Sequence, residues 1–188
     1  NHPGTRTPGH VLILGWVGSI RCAPSLKLLM QTADHFGKDI SIVIHGNVHR
    51  HVLPDFDEQI AARENVTYFG PYVYPTGLSA VYGSCDIVWA QDLWQRGANS
   101  DWLLPNRIYE ASWFGCPSVA VADTETGRKV AADNLGFTID QPSAEALIDL
   151  LKKLDQNTIE NVSEALLAKD DADFMLRPDD VDAALHPV

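Results

Sequence analysis

Two groups of residues in this sequence have the types and spacing to hold a polyanion. The first is Pro105-Asn106-Arg107-Ile108-Tyr109-Glu110, read on to Gly115-Cys116-Pro117. Proline suits the first turn of a helix, where its missing N–H costs nothing, and glycine suits the position just past the end. A helix is therefore expected from about Pro105 to Gly115. The first-turn amides at Asn106 and Arg107 have no partners inside such a helix, and its dipole favours an anion there. Arg107 adds a planar fork of donors in the same turn. Glu110 lies one turn on, where a carboxylate can accept two hydroxyl hydrogen bonds side by side. Phosphate grip plus a nearby acceptor of sugar hydroxyls is the chemistry of a nucleotide diphosphate site. As an ordinary surface residue, Glu110 would merely solvate one helix face.

The second group is Gly18-Ser19-Ile20-Arg21. Gly18 and Ser19 can bring backbone amides close to a phosphate, since glycine puts no Cβ in the way. Arg21 is the candidate to neutralise a diphosphate, and Lys27 is nearby but also fits a solvated helix position. His45, His49 and His51 have spacings that suggest a metal site, but no cysteine or paired carboxylate completes a tetrahedral set. No bound metal is expected.

These residues need a frame, and the apolar pattern supplies one. Val11 to Trp16 suits a strand buried on both faces, with Gly18 to Ala23 as a glycine turn and a helix opening at Pro24. Further strands are expected at Ile40–His45, Val66–Gly70, Asp86–Ala90, Ser118–Ala122 and Gly136–Ile139. Helices are expected at Pro54–Arg63, Leu78–Gly83, Thr126–Asn134, after the capping Ser143, and at Asn157–Lys169. Gln91 to Trp102 reads as a long polar loop, longer than a simple strand-to-helix connection needs. Alternating strands and helices mean an α/β fold: a Rossmann-like doubly wound parallel sheet of about six strands, ordered 3-2-1-4-5-6.

The order of these landmarks resembles the C-terminal donor-binding domain of GT-B glycosyltransferases, in particular the group 1 (GT4-like) enzymes. The likeness is carried by Gly-Ser-Ile-Arg after strand one, Asn-Val-x-x-x-Gly at strand three and Ala-Val-Tyr-x-x-x-Asp-Ile before strand four. Pro-Asn-Arg-x-x-Glu-x4-Gly-x-Pro and Leu-Gly-Phe near strand six complete it, so the match runs from Val11 to about Leu154. The resemblance implies one half of a GT-B fold that binds a nucleotide diphosphate sugar as donor substrate, without a cofactor. It implies diphosphate on Gly18, Ser19, Arg21, Asn106 and Arg107, with Arg21 and Arg107 stabilising the departing group. Glu110 would accept the ribose hydroxyls, and Gly70 with Pro71 and Tyr72 would meet the nucleobase. The family's commoner pattern has cations where Ser19 and Pro24 stand here. Its earlier acidic residue, which touches the donor sugar, is replaced by Trp102, leaving Asp101, with Asn99 and Ser100, as candidates for the sugar pocket.

The composition fits that reading. The chain has 188 residues and 45% apolar content, enough for one domain with a full core. Its net charge of −11 argues against nucleic-acid binding or a basic membrane anchor. No apolar run approaches the ~20 residues needed to cross a bilayer. Three cysteines, Cys22, Cys85 and Cys116, without a CxxC pair, read as buried thiols in a reducing compartment, the cytoplasm, with the inner membrane face as a further setting. The start at Asn1 reads as a cut through a linker, giving a linker remnant at 1–9, a binding domain at 10–169 and an acidic tail at 170–188. The partners expected are the nucleotide sugar and an N-terminal acceptor-binding domain, which would also make any membrane contact. Two other readings stay open: a non-catalytic doubly wound binding module, and a nucleotide-sugar epimerase of the same architecture.

Overall fold

The structure is a computed structural model that describes residues 11–95, 97–170 and 173–174. The expectations for residues 1–9 and for most of the acidic tail lie outside the described residues.

Six strands form one parallel sheet in the order β3-β2-β1-β4-β5-β6. They are β1 (Leu12–Ile20), β2 (Ile40–Val48), β3 (Val66–Gly70), β4 (Ile87–Trp89), β5 (Ser118–Val121) and β6 (Gly136–Ile139). The helices are α1 (Ala23–Phe36), α2 (Phe56–Ala61), α3 (Leu78–Gly83), α4 (Asn99–Trp102), α5 (Asn106–Trp113), α6 (Glu125–Ala132), α7 (Ala144–Lys153) and α8 (Gln156–Leu167). The sheet is covered on both faces, which is why its central strands are continuously apolar. Leu14, Trp16, Ile42, Ile44 and Trp89 meet α1, α2 and α7 on one side. Val17, Val43 and Val88 meet Tyr82 of α3 and Ala111 of α5 on the other. The buried Trp89 ring keeps its polar atom satisfied, donating from Nε1 to Ser25 Oγ at 3.1 Å.

The expected elements form, with two corrections that bear on the site. Gly18 and Ser19 do not lie in a turn after the first strand. β1 continues through Ile20 because β2 also runs on, so that Gly18 pairs with Gly46, Ser19 with Asn47 and Ile20 with Val48. The turn shrinks to Arg21 and Cys22, whose sulfur caps α1 by accepting from Ser25 N–H at 3.4 Å. The loop 91–102 is also not wholly irregular, since it holds the single turn α4. The three thiols are buried and free as expected, and burial pushes the Cys85 thiol up to about 12.

The chain passes from β1 outward to β3, then returns to β4 on the other side of β1. The carboxyl ends of β1 and β4 therefore border the switch point at which sheets of this kind hold ligands. A pair of glycines sets the backbone there. Gly18 and Gly46 have φ of 112° and 135°, and a Cβ on Gly46 would sit 1.8 Å from the Gly18 carbonyl oxygen. Gly46→Ala is expected to cost about 3 kcal/mol or more, since both the conformation and the contact must give. Gly83→Ala, with nothing within 4 Å of the new methyl group, is the matched control. It is expected to be neutral or to stabilise by about 0.5 kcal/mol. Urea unfolding of the two variants checks the contrast.

Candidate functional site

The site is assembled from three strand ends and the start of α5. Pro105 is the residue before α5, in extended conformation, and no side chain caps the helix. The Ile108 N–H turns back to the Pro105 carbonyl at 3.2 Å, leaving the helix start open to an anion. Arg107 projects from this first turn to β1, and a Cβ built on Gly18 would lie 3.9 Å from its Nη2. The sequence pattern placed both groups at a phosphate, and the fold brings them together.

Arg107 is partly buried, and burial pulls its guanidinium below the ordinary value. Tyr82, Asp92, Cys22 and Tyr72 oppose that shift. Among the described residues no carboxylate forms an ion pair with it and no acceptor takes a hydrogen bond from it. An arginine stays charged in such surroundings, so the site presents a cation with its hydrogen-bonding capacity unspent.

Arg21 lies in the β1–α1 turn and is exposed, its Nη2 3.7 Å from Asp92 Oδ2. Asp92 follows β4 and is 8% exposed. Its other oxygen accepts from the Trp94 N–H at 2.7 Å and the Ser100 hydroxyl at 3.3 Å. Asp92 thus orients Arg21 and ties down the following loop. Sequence reading missed it, and its signal is a lone carboxylate directly after the apolar β4 run. Its neighbour Gln91 is buried and joins that loop to β5, accepting from Val121 N–H at 3.1 Å and from the Thr124 hydroxyl at 2.9 Å.

Glu110 is one turn along α5, partly exposed, and lines a cavity of about 360 Å³ with Asn106, Tyr74, Leu78 and Tyr109. The buried Tyr82 hydroxyl donates to Glu110 Oε2 at 3.0 Å. One carboxylate oxygen is thereby fixed, while Oε1 has no hydrogen-bond partner among the described residues. Tyr82 served in the sequence only as a landmark, and its role in orienting Glu110 was not legible there.

Gly70 ends β3 with φ of 85°, and Pro71 is exposed beside it. Tyr72 turns back to the site, for burial and the Glu110 carboxylate raise its pKa while Arg107 lowers it. A second cavity, of about 240 Å³, lies over the ends of β1 and β2, lined by Gly18, Ser19, Asn47 and His49 and sharing Tyr74 with the first. Asp101 lines neither of these two cavities. It lies in α4, where its carboxylate accepts from the Gly97 N–H at 2.7 Å, and the exposed Trp102 follows it. Among the described residues no cluster of His, Cys, Asp and Glu has the makings of a metal site.

Comparison with known proteins shows what this arrangement is similar to. No family model matches the chain. The succinoglycan biosynthesis protein ExoL of Rhizobium meliloti (strain 1021) is 31% identical over 159 residues, which cover 85% of this chain and 40% of that protein. The chain thus spans less than half the length of this curated relative. The C-terminal domain of a group 1 family glycosyl transferase, LpcC of Francisella tularensis, superposes with a TM-score of 0.63 at 16% identity, covering 83% of this chain and 82% of that one. HepE of Anabaena, solved in complex with UDP and glucose, gives 0.65 at 17% identity over 93% of this chain and 48% of that one. The lipopolysaccharide glycosyltransferase WaaG gives 0.60 at 16% identity, with 95% and 48% covered.

Tyr82 gives the site a measurable signature. Burial is the main cause that drives its phenol far above the ordinary range, and Glu110 adds to it. An unfolded tyrosine ionises near pH 10, so the native phenol retains a proton that the unfolded chain releases. Its contribution is fully present below about pH 10 and is lost as pH rises beyond it. Denaturant unfolding from pH 8 to 11 should show stability falling above about pH 10, with a shallower fall in Tyr82→Phe.

Proposed function

We propose, from the premise that the chain has the fold of a GT-B C-terminal domain, that it binds the donor of a glycosyltransferase. The donor is a nucleotide diphosphate sugar, and the whole enzyme transfers its sugar to an acceptor hydroxyl in polysaccharide or glycoconjugate synthesis. One observation carries the reading: Arg107, partly buried and without an ion pair among the described residues, lies against Gly18 at the switch point of the sheet. Leaving a cation so placed without a counter-charge is costly, and an anionic ligand removes the cost.

In this reading the diphosphate sits between Arg107, the open amides at Asn106 and the Gly18–Ser19 edge, with Arg21 approaching from the β1–α1 turn. As the sugar leaves, negative charge grows on the diphosphate. Fixed cations and the α5 dipole stabilise that charge without reorganising. The ribose hydroxyls donate to Glu110, whose free Oε1 and Tyr82-held Oε2 present a fixed acceptor edge. The nucleobase lies towards Gly70, Pro71 and Tyr72. Asp101, beside Trp102, borders the sugar, with no metal or cofactor called for at the diphosphate.

The acceptor lies across a cleft on a second, N-terminal domain. The 48% coverage of the HepE chain supports that division. The UDP in the HepE complexes and the polysaccharide named for ExoL support the donor class and the pathway class. No helix among the described residues is long and apolar enough to cross a membrane. The cytoplasm is the proposed setting, one that suits three buried free thiols.

Calorimetric titration with UDP, GDP and ADP tests the reading. One nucleotide should bind saturably, and Arg107→Ala and Glu110→Ala should each weaken it by about tenfold or more, the range for a charge-assisted hydrogen bond. Failure of all three nucleotides to bind the folded chain, or full affinity in both variants, overturns it.

A further inference from the structure

Of the cavity of about 240 Å³ over the ends of β1 and β2, the proposed function uses only the Gly18–Ser19 edge. Ser19 of β1, Asn47 of β2, His49 just beyond it, and Tyr72 and Tyr74 after β3 supply most of the wall. Ser19 and His49 answer each other, Oγ to Nε2 at 2.9 Å. The Asn47 amide has no hydrogen-bond partner among the described residues, so two donors and an acceptor stand unspent at the cavity. No lining residue is acidic, in a chain of net charge −11.

Strand geometry sets where that amide stands. Alternate residues of β2 share a face of the sheet, so Asn47 lies on the face of Val43. On that face Val43 packs with Tyr82 of α3, and Tyr72 rests against the same cluster. His45 pairs with Gly70, the last residue of β3. Asn47, two residues further along β2, therefore stands beyond the end of β3, where Pro71 and Tyr72 follow. Tyr72 lies near enough to Glu110 for that carboxylate to raise its pKa. A ring in this cavity is thus within reach of a ribose held at Glu110.

We infer that this cavity takes the donor's nucleobase, that the base is uracil, and that Asn47 reads its edge. Uracil carries its N3–H between two carbonyls. The Asn47 Oδ1 accepts from N3–H while Nδ2 donates to either neighbouring carbonyl, so the pair forms in two registers. The Tyr72 and Tyr74 rings offer flat apolar surface to the face of the base. The cavity is smaller than the roughly 300 Å³ at which pockets for drug-sized ligands begin, and suits one ring better than the fused pair of a purine. Guanine also presents two adjacent donors, N1–H and N2–H, that a carboxylate meets best, and none lines the cavity.

This assignment rests on the donor-binding reading, and the test separates the two. Calorimetry with UDP, GDP and ADP, which share the ribose and diphosphate, compares the bases alone. UDP should bind more tightly than GDP or ADP by about tenfold or more, the worth of two net hydrogen bonds. Asn47→Ala should weaken UDP by about tenfold and leave GDP and ADP within about twofold. Asn47→Asp should weaken UDP further, because a carboxylate oxygen then faces a base carbonyl. Asn47 is exposed, so both variants should unfold at the temperature of the parent chain. Arg107→Ala should weaken all three nucleotides alike. If GDP or ADP binds the parent chain as tightly as UDP, the base assignment is overturned and the donor site stands. The same follows if Asn47→Ala weakens all three nucleotides equally, or none, while Arg107→Ala loses binding. If no nucleotide binds the folded chain, both readings fall.

Discussion

At the carboxyl ends of β1 and β2 two glycines pair in register, so close that a Cβ on Gly46 would meet the Gly18 carbonyl oxygen at 1.8 Å. This approach is the constraint on which the site depends. It carries β1 past the point where its apolar run ends, and so holds Ser19 on an ordered strand instead of in a turn. It also leaves the floor bare beneath Arg107, whose Nη2 comes to 3.9 Å from the Cβ that Gly18 lacks. The positive φ at both residues means that no L side chain could set this geometry cheaply. Backbone conformation, more than any contact between side chains, opens the cradle.

The charges around that cradle are arranged in two tiers. Asp92 engages Arg21 but forms no ion pair with Arg107, although its charge favours that guanidinium. One arginine is thus partly answered by protein, and the other has no ion pair among the described residues. Glu110 shows the same economy, with one oxygen fixed by Tyr82 and the other free. A fixed group loses little entropy when its ligand arrives, so each half-satisfied residue is oriented before binding. The cost of keeping Arg107 unpaired is borne by the well-packed sheet on which α5 rests.

The sheet order and nearly every element could be read from the sequence, because βα alternation and apolar runs report backbone periodicity directly. The meeting of Arg107 with Gly18 was legible for the same reason: both lie at strand or helix ends whose place in a doubly wound sheet is fixed by topology. The end of β1 was misread because Gly18 looks like a turn residue, and only pairing with Gly46 shows it to be part of a strand. Asp92 and Tyr82 escaped because their partners are distant in sequence. Tyr82 and Glu110 are 28 residues apart. No local pattern encodes such a meeting.

These differences divide the site by rigidity. The residues proposed for phosphate and ribose stand on or directly beside β1 and on α5, where hydrogen-bonded ladders fix their backbone. Those proposed for the sugar stand in the loop after β4, where Asp101 is spent on its own backbone and Trp94 and Trp102 are exposed. Phosphate and a pentose recur among nucleotide sugars, so a rigid frame suits them. In the proposed reading the sugar falls to the segment that Asp92 and Gln91 anchor at one end. In that arrangement the Asp92 carboxylate connects the two proposed functions, since the oxygen that holds Trp94 and Ser100 and the oxygen that faces Arg21 belong to one rigid group.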